Sequence, residues 1–148
     1  MAASWKRSKK PSAVSCKQPP EPLVFFIDRS LGRHVIAETL RRAGATVEVH
    51  DDHLAQNAPD ADWIALVGRR GWLAVTKDKN IRYRAGEIEA IRRSGARVLV
   101  LRTKHATAAQ LAGVLVKARH RIEGFVARTD APFVAGIDRS GGIRNYPI

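Results

Sequence analysis

The chain has 148 residues, 45% of them hydrophobic and 27% charged, with a net charge of +12. That length and balance fit one globular domain with a sizeable core, and exclude both a disordered chain and two full domains. No apolar run approaches the roughly 20 residues that span a bilayer, and no apolar signal core follows the first basic residues, so a cytoplasmic protein with no membrane partner is expected.

Residues 1–21 hold Lys, Ser, Pro and Gln and little to bury, with Pro11, Pro19 and Pro20 against regular structure, so a flexible basic arm is expected there. Residues 1–20 contain Lys6, Arg7, Lys9, Lys10 and Lys17 and no acid, which leaves +7 on the rest of the chain. The charge is therefore not only a tail effect, and it points to a polyanion, with nucleic acid first. Cys16, in the arm, is the one cysteine, which excludes a disulfide framework and a cysteine zinc site.

A single domain over residues 22–148 is expected to follow. Leu23 to Ile27 reads as a strand covered on both faces, ending at Asp28-Arg29-Ser30. A helix is predicted from about Leu31 to Ala43, with Leu31, Val35, Ile36 and Leu40 on one face and Gly44 closing it. Thr46 to Val49 is a second strand, and His50-Asp51-Asp52-His53 reads first as a solvated loop, with His50 and His53 as the alternative rim of a site. Asp60 to Arg70 is a helix bearing Trp63, Ile64, Leu66 and Val67, and Trp72 to Val75 a third strand. A helix then starts at about Ile81 or Ala85 and runs to Arg93, and Arg97 to Leu101 is the fourth strand. Thr107 caps a long amphipathic helix reaching Arg121, and Phe133 to Ile137 is a candidate final strand. Strand and helix alternating four times predict an α/β fold: a three-layer αβα sandwich on a mainly parallel sheet with right-handed crossovers.

In that topology Asp28 and Asp78 both lie just past the carboxyl ends of strands, where open α/β sheets collect their ligands. Asp60 opens the helix leading into the third strand and reaches the same edge, with Asp62 two residues on. Crowded carboxylates repel unless a cation offsets them, and an all-oxygen set suits Mg²⁺ or Mn²⁺. Such an ion polarises a phosphoryl oxygen and activates water. Arg29, Lys77, Lys79 and Arg82 form a basic rim for neighbouring phosphates, and Thr76 and Asn80, flanking Asp78, are candidate phosphate or water contacts. Each acid also has a plainer role: Asp28 and Asp60 as helix caps, Asp78 as turn chemistry. Only their combination on one edge of a very basic chain favours catalysis. The five histidines show no His-Glu-x-x-His pairing, and no glycine-rich phosphate loop follows any strand, which argues against zinc hydrolases and nucleotide enzymes.

Three segments carry a family resemblance: Phe26-Ile27-Asp28-Arg29-Ser30-Leu31-Gly32, Pro59-Asp60-Ala61-Asp62-Trp63-Ile64, and Gly71-Trp72-Leu73-Ala74-Val75-Thr76-Lys77-Asp78-Lys79. Together they resemble PIN-like domains, most closely the minimal type found as VapC-like toxins of bacterial toxin–antitoxin pairs. The resemblance spans roughly Leu23 to Leu101. It implies a Mg²⁺- or Mn²⁺-dependent ribonuclease neutralised by a cognate antitoxin protein, with RNA as substrate and a homodimer among the expected states. It places Asp28, Asp60 and Asp78 as catalytic metal ligands, with Asp62 the alternative to Asp60. Two departures stand out. Larger members have an acid after the fourth strand, where this chain has Arg102-Thr103-Lys104, and the family's usual mid-chain Glu is missing. The competing expectation is a catalytically inactive basic PIN-like module that binds RNA or a protein partner. A receiver-like signalling domain would need paired acids after the first strand, where only Asp28 stands.

Overall fold

A computed structural model describes residues 22–148 apart from Arg33. The expected basic arm and Cys16 lie outside the described residues. Six strands form one sheet in the order β2-β1-β3-β4-β5-β6. They are β1 (Val24–Ile27), β2 (Thr46–Val49), β3 (Leu73–Thr76), β4 (Arg97–Leu101), β5 (Phe133–Ile137) and β6 (Ile143–Tyr146). The first five are parallel and β6 is antiparallel to β5. The helices are α1 (Val35–Arg42), α2 (Asp60–Arg70), α3 (Ala85–Ser94), α4 (Ala108–Lys117) and α5 (Arg119–Arg128).

The strands β1, β3 and β4 are apolar at every central position because both faces are covered, and successive side chains feed two separate cores. Phe25, Ile27, Leu73, Val75, Leu99 and Ala135 meet Ile36 and Leu40 of α1, Leu111 and Leu115 of α4 and Ile122 of α5. The alternate set, Phe26, Ala74, Val98, Val100 and Val134, meets Trp63, Ile64 and Val67 of α2 and Ile91 of α3. This is the expected three-layer αβα arrangement.

One expectation fails. The step from β4 to β5 runs in the same direction across the sheet as the step from β3 to β4, yet α4 and α5 lie on the face opposite α3. The two crossovers therefore have opposite hands. The stripe of Leu111, Ala112, Val114 and Leu115 fills the face beside α1, while Tyr146 of β6 joins the α2–α3 core.

Two features place the site. The chain steps from β1 outward to β2 and then back across to β3, so β1 and β3 are neighbours at the point where the winding reverses. Helices α2 and α3 follow β2 and β3, so both begin at the carboxyl edge and run back side by side. Their approach depends on Gly68: a Cβ there would meet the Ser94 carbonyl oxygen at 2.5 Å. The first turns of the two helices are thereby set next to each other beside the ends of β1 and β3.

Several boundaries differ from those expected. Gly32, with φ of 79°, stops a short 3-10 turn over Arg29–Leu31, so α1 starts at Val35 rather than Leu31. A second 3-10 turn, Lys79–Arg82, separates β3 from α3. The long helix expected after Thr107 divides at Ala118 into α4 and α5.

Candidate metal centre at the carboxyl edge

Asp28 continues the ladder past β1, its amide donating to the Val75 carbonyl at 3.0 Å. The residue is 5% exposed. Its Oδ2 accepts from the Ser30 amide at 3.4 Å and from the Thr76 hydroxyl at 2.9 Å. Its Oδ1 is buried and has no hydrogen-bond partner among the described residues. A buried carboxylate oxygen left unpaired is costly unless an ion or water occupies it. The cap role and the site role are thus divided between the two oxygens of one carboxylate.

Thr76 is fully buried. The expectation there is a phosphate or water contact; the hydroxyl is instead engaged by protein groups. Its hydroxyl donates to Asp28 and accepts from the Asp78 amide at 3.1 Å, so it fixes the two aspartates to each other across the strand ends. Asp78 then caps the 3-10 turn, Oδ1 accepting from the Asn80 amide at 3.1 Å.

Asp60 is the first residue of α2, behind Pro59 in the cap position. Its carboxylate is therefore not the cap. Oδ1 accepts from Arg29 Nη2 at 2.9 Å and from the Trp63 indole nitrogen at 3.0 Å. Arg29 is itself held by the Ala58 carbonyl and by His50, whose Nε2 lies 3.3 Å from Nη1. A guanidinium only donates, so Nε2 accepts, and the His50 proton sits on Nδ1, 3.1 Å from Asp51. His50 is 1% exposed, not part of a solvated loop as expected. Its ring packs against Phe26 and carries Arg29 on one nitrogen.

Glu87 is the site residue that reading the sequence missed. It lies in the first turn of α3, behind Arg84 in the cap position. One oxygen from each of Asp60, Asp78 and Glu87 lies within 4.8 Å of the other two. The first turns of α2 and α3 bear the positive ends of the helix dipoles, which favour carboxylates there. Arg84 offsets part of the remaining charge: Nη1 contacts Asp78 Oδ2 at 2.7 Å and Glu87 Oε1 at 2.6 Å, and Nη2 contacts Asp78 Oδ1 at 3.2 Å. Hydrogen bonds donated to Asp78 first, and then to Glu87, push the Arg84 pKa above its ordinary value.

The donor set is all oxygen and anionic, with no histidine or cysteine among the three converging residues. It fits a hard divalent cation such as Mg²⁺ or Mn²⁺ and not a zinc site. Asp62 is exposed and is not among the converging carboxylates. Of the expected basic rim, Lys77 and Lys79 are exposed beside Asp78, as is Asn80. Arg82 is half-buried instead, its guanidinium 3.9 Å from the Tyr146 ring centre and 4.5 Å from that of Tyr83.

A family model described as "PIN like domain" matches residues 23–103. That span runs from β1 past β4 and contains Asp28, Asp60, Asp78 and Glu87. The chain is also 32% identical over 124 residues to "Putative ribonuclease VapC45" of Mycobacterium tuberculosis, covering 81% of this chain and 89% of that one. Carboxylates gathered at the winding reversal of a parallel sheet, the matched span and this relative agree, and the chain belongs to the PIN-like domain family, as a VapC-like member.

Proposed function

We propose that this protein is a divalent-metal-dependent endoribonuclease that hydrolyses RNA phosphodiester bonds, and that it acts in the cytoplasm as the toxin of a toxin–antitoxin pair, restrained by a cognate antitoxin protein. The observation that carries this reading is the approach of Asp60, Asp78 and Glu87 to within 4.8 Å of one another, with Asp28 tied to Asp78 through the Thr76 hydroxyl. The ribonuclease named for the relative supports the choice of RNA. None of the described helices is long and apolar enough to cross a membrane.

Asp60, Asp78 and Glu87 would hold the ion, with Asp28 completing the set from the strand side. The bound ion supplies polarisation of a phosphoryl oxygen and a water of lowered pKa. The chain's own contribution is positioning and charge. Thr76 orients Asp28 and Asp78 together; Arg29, braced by His50, orients Asp60. Lys77, Lys79 and Asn80 stand at the exposed mouth, where phosphates flanking the cleaved one would lie, and Arg82 supports that rim from its tyrosine stack.

Metal binding can be followed without RNA. In a Mn²⁺ titration, Glu87→Gln is expected to weaken affinity at least about tenfold, since even supporting residues of metal sites cost 10–100-fold. Asp62→Asn, which alters an equally charged neighbour outside the cluster, is expected to bind as the wild type does. Equal affinities for Glu87→Gln and the wild type would remove α3 from the metal site.

A further inference from the structure

The carboxyl edge continues beyond the acidic cluster. At the ends of β4 and β5, on the α1–α4 face, lies an open cleft of about 620 Å³. Its floor is the junction of α4 and α5, and its sides are the loop after β4 and the turn between β5 and β6. Among the described residues, Lys117, His120, Arg121 and Arg139 line it, and no carboxylate does. Lys117 and Arg139 are exposed. Arg121 donates one bond, to the Gly141 carbonyl at 2.9 Å, which holds the turn that walls the cleft. Arg139 donates to the Lys104 carbonyl at 3.1 Å. A guanidinium has five donors, so each arginine keeps others for a ligand.

Two acids stand close by: Glu123, 3.5 Å from His120, and Asp138, which is engaged within its own turn. Asp138, one residue before Arg139, accepts from the Ser140 hydroxyl and amide and from the Gly142 amide. The Ser140 hydroxyl foremost holds its carboxyl below the usual range, so it closes the turn and stays an anion without entering the lining. Thr103, on the opposite wall, has a hydroxyl oxygen with no hydrogen-bond partner among the described residues. A cleft with several cations, an unpaired hydroxyl and no acid in its lining suits a ligand made of repeated phosphates.

Its position names the source. The end of β5 is two strands from the end of β3, roughly 10 Å along the sheet edge at the usual strand spacing. The cleft is on the α1–α4 face and the acidic cluster on the α2–α3 face, so a connecting strand passes over that edge. A strand of a few nucleotides spans that distance. We infer that this cleft is a second nucleic-acid subsite, which grips the phosphate backbone of single-stranded RNA a few nucleotides from the bond placed at the acidic cluster. The inference rests on the nuclease reading only for that placement; the cleft binds RNA whether or not the cluster cuts it.

The test is the salt dependence of binding, by fluorescence anisotropy of a short labelled single-stranded RNA in EDTA. The proteins are the wild type, Lys117→Ala, Arg139→Ala and the double variant, each first shown to melt as the wild type does. Each phosphate contact removed lowers the slope of log K against log salt by about 0.7 for a single strand. Each single variant should lose about that much and the double variant about twice as much, with affinity several-fold weaker at physiological salt. Arg92→Ala, at the far end of α3 and the opposite sheet edge, should leave the slope unchanged. Slopes equal to wild type in all cleft variants would overturn the proposal and leave the cleft to a protein partner. An equal loss in Arg92→Ala would overturn it in favour of diffuse attraction. Absence of cleavage in any metal would count against the nuclease reading and leave this result standing, so the two fail separately.

Discussion

Asp78→Asn is expected to slow RNA cleavage by at least about 100-fold, roughly 2.7 kcal/mol of transition-state stabilisation, without unfolding the protein. The substitution keeps the side-chain oxygen that accepts from the Asn80 amide and the backbone amide that donates to Thr76. What it removes is the charge that faces Asp60 and Glu87 and would hold a cation. The Arg84–Asp78 pair is part-exposed, so its loss should cost no more than about 1 kcal/mol of stability. The informative pair of measurements is therefore initial cleavage rate and urea midpoint on the same preparation. A variant that cuts as fast as the wild type, at unchanged stability, would take the end of β3 out of the mechanism.

Trp63→Ala should have the largest effect on folding. Trp63 is 1% exposed, stacks on Phe26 with ring centres 6.2 Å apart, and is the more deeply buried of the two tryptophans in the α2–α3 core. Truncating a buried Trp typically costs about 3–5 kcal/mol, because the cavity closes only in part. Small domains hold about 5–15 kcal/mol in all, so this variant should melt well below the wild type in urea. Trp63→Phe separates packing from the hydrogen bond to Asp60. It should retain most of the stability but weaken Mn²⁺ binding, since Asp60 Oδ1 keeps only Arg29. A cost below about 1 kcal/mol for Trp63→Ala would show that α2 does not seat on the sheet through this residue.

What could be read from the sequence follows the strength of local signals. The strands β1, β3 and β4 are centred on apolar runs in a parallel sheet, and the site's carboxylates Asp28 and Asp78 follow within two residues of the ends of β1 and β3. The β1–β3 adjacency, needed for Asp28 and Asp78 to meet, is not fixed by the alternation of strand and helix and comes from the strand order of the folded sheet. Glu87 escaped because its meaning depends on where α3 begins. The sequence leaves the start open between Ile81 and Ala85. From Ile81, Glu87 would fall in the second turn, whereas the 3-10 turn over Lys79–Arg82 sets the start at Ala85 and brings Glu87 into the first turn at the sheet edge.

His50 escaped for a different reason. His-Asp-Asp-His has the composition of a solvated loop, and only the tertiary contact with Phe26 and Arg29 buries its first residue. Strand β6, Ile-Arg-Asn-Tyr, has two exposed central residues and no apolar run to mark it. It is an antiparallel edge strand with one solvated face, the kind whose pattern is weakest over four residues. The hand of the last crossover depends on which face the α4 stripe covers, a choice made by packing across the whole sheet.

The central claim is that the acidic cluster is a metal centre that cuts RNA. Its most direct test is cleavage of a mixed-sequence RNA by the purified full chain in Mg²⁺, in Mn²⁺ and in EDTA. Cleavage with either ion, abolished by EDTA and restored on adding the ion back, is the predicted result. Cleavage undiminished in EDTA, or none in either ion by a folded protein that still binds RNA, would contradict it.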